Sequence, residues 1–214
     1  MILKLTLLFV TLFSVLPNTA RAEPPPHLVA ALELWALAAS EENASLFDSI
    51  KILPVTGENA PLARYKPDSG GFIEIGQNLR QYRREYVYLS SNQDKTAQPD
   101  FEQYLTILTA LSLANESAHV LQDSNGSLHD FYEFYNHGQM KEACALYGLQ
   151  QYASDIVMME FAVRLERLFL GHGSTKGINA LRIALEKNNL RDEFEEFREG
   201  LKLNDEVRLN SILH

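Results

Sequence analysis

The chain has 214 residues, 46% hydrophobic and 22% charged, enough apolar material for one full core and too short for two large ones. Its net charge of −9 argues against nucleic acid, which is gripped through clustered Lys and Arg, and against adsorption to anionic lipid. Cys144 is the only cysteine, so packing must hold the fold, and among Ala143, Ala145 and Leu146 it reads as a small buried hydrophobe.

In chain order, Met1 to Ala22 reads as a secretory signal peptide. Lys4 supplies the positive start, Leu5 to Leu16 the apolar stretch, and Ala20-Arg21-Ala22 a small-x-small cleavage pattern before Glu23. The expected product is one exported domain, residues 23–214, periplasmic or secreted, with no cysteine just after the cleavage point to carry a lipid. No later stretch approaches the roughly 18 apolar residues that a membrane span needs. Pro24-Pro25-Pro26 leads into a helix predicted over 27–43, with Leu28, Leu32, Trp35 and Leu37 on its apolar face.

Residues 49–91 change character and are read as a small antiparallel sheet. Ser49–Val55 and Ala63–Lys66 are candidate strands, separated by Pro54, Gly57 and Pro61. The turn signal Pro67-Asp68-Ser69-Gly70-Gly71 precedes an alternating strand, Gly71–Gly76. Glu85–Ser90 is predicted as a further strand, with Arg80, Arg83 and Arg84 forming an exposed basic edge.

Residues 99–214 read as helical. One helix runs from Pro99-Asp100 to about Asp123, with Tyr104, Ile107, Leu108, Leu111, Ala114, Ala118 and Leu121 at core spacings. A short helix covers Leu128–Asn136, a long one Gln139–Leu170, and two or three more fill Thr175–His214. The fold class is therefore α+β and predominantly helical.

The sharpest chemical signal lies in the helix after Pro99: Asn115-Glu116-Ser117-Ala118-His119, one residue away from H-E-x-x-H. In that motif two histidines four apart share a helix face and bind zinc, and the glutamate is general base to the metal-bound water. Here Asn115 stands at the first ligand position, and an amide is a poor zinc ligand beside an imidazole. The plainer reading is a helix Glu and His that serve structure alone. Asp155, Glu142 and Glu160 on the next long helix are the candidate third ligands, and spacing does not choose among them. A second cluster, His129, Glu133 and His137, places two imidazoles and a carboxylate at i, i+4 and i+8; it is either a metal site or a solvated face. A di-iron site would need a second E-x-x-H, and the chain has none. No G-x-S-x-G elbow or phosphate-binding glycine loop appears. The Asn-x-Ser sequons at Asn43, Asn115 and Asn125 matter only in a host that glycosylates exported proteins.

A sheet followed directly by the motif helix is also the order in a zincin. On Gly70-Gly71-Phe72-Ile73-Glu74-Ile75, Asn115 to Gln122, Ala153-Ser154-Asp155 and Ala162-Val163-Arg164-Leu165, the chain resembles exported bacterial zincin-like metallopeptidase domains over roughly residues 50–170. The resemblance implies Glu116 as general base and His119 as zinc ligand, with the ligand expected at 115 replaced. It implies a metallopeptidase relative that has lost standard zinc chemistry, a pseudoenzyme or a module that takes a peptide or protein partner along the Phe72–Ile75 strand, with Phe72 and Glu74 at the contact. Two alternatives stand beside it. One is a helical envelope-associated protein without a site. The other is an active metal-dependent hydrolase with an altered ligand set.

Overall fold

The computed structural model describes residues 24–38, 51–55, 62–67, 71–76, 79–91 and 98–201. The expected leader Met1–Ala22, the stretch 39–43 with Asn43, Ser49, Gly57, Pro61, the turn residues 68–70 and the tail 202–214 lie outside them. The described chain is α+β and predominantly helical: α1 Pro26–Ala38, β1 Lys51–Val55, β2 Ala63–Lys66, β3 Phe72–Gly76, α2 Leu79–Ser90, α3 Phe101–Ser124, α4 Ser127–Asn136, α5 Met140–Gly171 and α6 Thr175–Lys187, then α7 over residues 191–201.

α3 is the axle. Asp100 caps it by accepting from Gln103 N–H at 2.7 Å, one donor that the first turn leaves unpaired. Behind it, Tyr104, Leu105, Ile107, Leu108, Ala110, Leu111, Leu113 and Ala114 are all buried. A helix apolar on nearly every face must be surrounded, and α1, α5 and α6 pack around it. Its buried hydroxyls turn inward, Thr109 Oγ1 to Leu105 O (2.8 Å) and Ser117 Oγ to Ala114 O (2.7 Å), so neither is left unpaired in the core. Gly126, at φ 86°, ends the segment.

The sheet is mixed, which corrects the antiparallel expectation. Strand order is β1-β3-β2, with β3 parallel to β1 and antiparallel to β2. The chain visits both edges before filling the middle, and alternation within a strand carries no information on that order. β1 contains Pro54, which has no N–H to give a ladder and so fits an edge. Ile73 and Ile75 point into the core at 0% exposure. On the other face Arg64 pairs with Glu74 at 2.6 Å.

Glu85–Ser90 is helical, a second correction. The Tyr86/Tyr88 alternation suggests a strand, but Tyr82, Tyr86 and Ser90 are the buried set, spaced by fours, whereas Tyr88 is 78% exposed. Tyr86 packs edge-on to Phe101 at 5.7 Å and donates its phenol to Pro99 O. Arg83 lies 4.6 Å from the centre of the Phe101 ring, so the basic run decorates a helix rather than a strand edge. Cys144 is exposed rather than buried: the buried residues in the first half of α5 are Ala143, Gln150 and Ser154, and Cys144 lies off that face.

β2 is fastened to α3 through Tyr65, whose N–H and hydroxyl reach Glu116 and Asp123, two helical turns and about 10 Å apart along the axis. Gly71 makes room for that ring: its φ is 68°, and a Cβ there would stand 2.7 Å from the Tyr65 hydroxyl. Gly71→Ala is expected to cost about 1–3 kcal/mol through backbone strain and the clash. By contrast Gly148→Ala, on an open helix face, should gain about 0.5–1 kcal/mol. Urea unfolding of the two variants beside the wild type checks both.

Candidate functional site

Helical spacing brings the sequence-singled residues together. Ser112, Asn115 and Glu116 on α3 face Gln151, Asp155 and Met158 on α5, each set at three- and four-residue intervals. With Leu62 and Ala63 from the start of β2, Tyr82 from α2, and Lys187, Asn188 and Leu190 around the end of α6, they enclose a cleft of about 360 Å³.

Each residue of the degenerate motif has a defined partner. Asn115 Nδ2 donates to Ser154 Oγ at 2.9 Å and to Asp155 Oδ1 at 3.3 Å. Gln151 Nε2 donates to the same two acceptors, at 3.1 Å to Asp155 and 3.3 Å to Ser154. Glu116 Oε2 accepts the backbone N–H of Tyr65 at 2.6 Å, a charge-assisted bond that ties the sheet edge to the helix. His119 Nδ1–H donates to Gln122 Oε1 at 2.8 Å, and Gln122 is oriented by its own bond to Gln150 O at 2.8 Å. That fixes Nδ1 as a donor nitrogen of His119 and sets the orientation of the ring.

Burial disfavours charge in both cleft carboxyls and raises their pKa values. For Glu116 the rise is opposed by the Tyr65 N–H and by the nearby His119 and Arg64 charges. For Asp155 it is opposed by the Gln151 hydrogen bond and by His119, and reinforced by Glu193. Among the described residues neither carboxylate forms an ion pair, whereas the cleft cation Lys187 reaches Glu85 at 3.5 Å.

A zinc ion on this frame would need an imidazole at 115, the His119 ring and a third ligand. The His119 ring has the outer hydrogen bond that metal-ligating imidazoles carry. The rest does not fit. Asn115 presents donors rather than a lone pair, and among the described residues no three His, Cys, Asp or Glu groups gather around one point. Glu142 is exposed and thirteen positions before Asp155, about 20 Å along the helix axis, so the two cannot serve one ion. Glu160 is exposed as well. His129, Glu133 and His137 are exposed on α4 and its cap, none lines the cleft, and His137 Nδ1 bonds back to Glu133 O at 2.8 Å. The second cluster is thus a solvated face.

The expected peptide-binding strand is also corrected. Phe72 and Glu74 belong to the central strand, whose backbone is paired on both sides and has no edge to offer. On the β2 side of the sheet the outward N–H of Tyr65 is already held by Glu116. Residues that sequence reasoning passed over complete the site: Tyr65, Ser112, Gln151, Ser154 and Lys187. Gln151 was detectable as the residue one turn before Asp155. Tyr65 was not, since nothing in a strand announces which N–H will meet a distant helix.

Two outcomes are expected from conservative changes here. Glu116→Ala leaves the Tyr65 N–H without its partner and should cost about 1–3 kcal/mol, whereas Glu116→Gln keeps an acceptor oxygen and should cost less. The pH dependence has a defined sign. Glu116 and Asp155 titrate in the folded state above their ordinary values of 4.5 and 3.8. The folded state therefore holds protons that the unfolded chain has released, and the stability they contribute is full below those values and lost as pH rises through the raised ones. Asp155→Asn and Glu116→Gln should consequently gain stability relative to the wild type as pH rises from about 4 upward, read from urea midpoints at each pH.

No protein-family model matches the chain, and no similar protein is found among curated proteins or solved structures.

Proposed function

We propose that the mature chain is an exported, zincin-like pseudoenzyme: a module that binds a peptide in the Glu116–Asp155 cleft without cleaving it. The observation that carries this reading is the engagement of Asn115, which stands where the zinc frame needs an imidazole and whose amide donates to Ser154 Oγ at 2.9 Å and to Asp155 Oδ1 at 3.3 Å, holding the two helices together. Glu116 is engaged as well, its Oε2 anchoring the edge strand through the Tyr65 N–H at 2.6 Å while Oε1 is left for a ligand. Export rests on the leader pattern Met1–Ala22. No described helix is long and apolar enough to cross a membrane.

The cleft replaces the strand as the place for a partner. Its approximate volume of 360 Å³ suits one side chain and its flanking backbone rather than a large cofactor. An active hydrolase built around His119 is the competing reading, favoured only by the Nδ1 hydrogen bond that orients that imidazole.

Zinc content and proteolysis separate the two. Chain purified from zinc-supplemented culture is expected to carry substoichiometric zinc and to leave fluorescent casein intact. His119→Ala should change neither result. Stoichiometric zinc in the wild type that disappears in His119→Ala, together with casein cleavage, would overturn the pseudoenzyme reading.

A further inference from the structure

The polar groups of the cleft are unevenly spent. Its serine and amide donors are committed within the protein: Ser112 Oγ to Leu108 O at 2.9 Å, Asn188 Nδ2 to Ala184 O at 3.1 Å, and the Asn115 and Gln151 amides to Ser154 and Asp155. Lys187 is drawn to Glu85. The acceptors are less fully used. Both amides meet Oδ1 of Asp155 and Tyr65 meets Oε2 of Glu116, so one oxygen of each carboxylate remains for a ligand. Leu108 and Met158 add apolar surface to the same cleft.

A cavity whose serine and amide donors are spent, with two carboxylates outside any ion pair among the described residues and aliphatic side chains in its lining, selects a particular shape of ligand. It must carry a positive, donor-rich head on an aliphatic stem. We infer that the group bound in the cleft is the side chain of a lysine or arginine in a peptide, its stem against Leu108 and Met158 and its cationic head between Asp155 and Glu116. Long basic side chains pack their methylenes on apolar surface while the head seeks charge, which matches this division of the wall. The head supplies the direct ion pair that neither half-buried carboxylate has among the described residues, and burial of a carboxylate is costly without one. The chain's net charge of −9 draws such a ligand in. The inference rests on the peptide-binding reading above and names its ligand class.

The test uses three acetylated, amidated tripeptides, Ala-Lys-Ala, Ala-Gln-Ala and Ala-Glu-Ala, titrated into the full chain and followed by backbone amide NMR shifts. The lysine peptide is expected to bind at least about tenfold more tightly than the glutamine peptide, with the preference shrinking as salt rises. The glutamate peptide should bind weakest. Asp155→Asn and Glu116→Gln each keep an acceptor and should fold, as circular dichroism would verify. Each should bring the lysine peptide toward the glutamine level, so that the ratio of the two affinities falls toward one. Should one variant fail to fold, the other and the salt dependence still decide. Equal binding of the lysine and glutamine peptides would overturn the cationic assignment and leave the cleft as a peptide site. No binding of any peptide to the wild type would overturn both.

Discussion

The hydrogen bond from the backbone of Tyr65 to Glu116 is the joint on which this arrangement turns. An edge strand exposes a row of N–H groups that must find partners, and a carboxylate on a neighbouring helix is a strong one. By meeting that need Glu116 brings the sheet against α3, and the Tyr65 hydroxyl bond to Asp123 fixes the strand at a second point two turns on. The cleft is what remains between that strand, the two long helices and the end of α6.

The same joint sets how Glu116 meets the cleft. Its Oε2 is committed to backbone, and its Oε1 is the oxygen left unbonded among the described residues. Around it the Asn115 amide joins α3 to α5 through Ser154 and Asp155, and Gln151, one turn earlier on α5, donates to the same carboxylate oxygen. Polar groups at this depth are tolerated because they satisfy one another. What they leave among the described residues are two carboxylates, Glu116 and Asp155, without a direct ion pair.

Much of the helical architecture was legible beforehand. α3 declared itself through Pro99-Asp100 at its start, Asn125-Gly126 at its end and apolar residues on every face between them. The long α5 did so through its length and the glycines after it. The strands at Ala63–Lys66 and Phe72–Gly76 followed from alternation and flanking turns. α2 was misread because Tyr86 and Tyr88 fit a period of two as well as Tyr82, Tyr86 and Ser90 fit a period of four, and only packing against Phe101 and Tyr104 selects between them. Cys144 was misplaced because an apolar local neighbourhood does not reveal which helix face will lack a partner.

Of the site, the sequence by itself determined which groups were candidates: Asn115, Glu116 and His119 on one helix face, and Asp155 on the helix that follows. Periodicity and chain order are local properties, and they suffice for that. Only the tertiary structure decided that Asp155 rather than Glu142 or Glu160 faces the motif, that His129, Glu133 and His137 stay in solvent, and that Phe72 and Glu74 lie mid-sheet rather than at an edge. Those outcomes depend on strand order and on how far two helices overlap along their axes, and both are set by burial summed over the whole core rather than by any local run of residues.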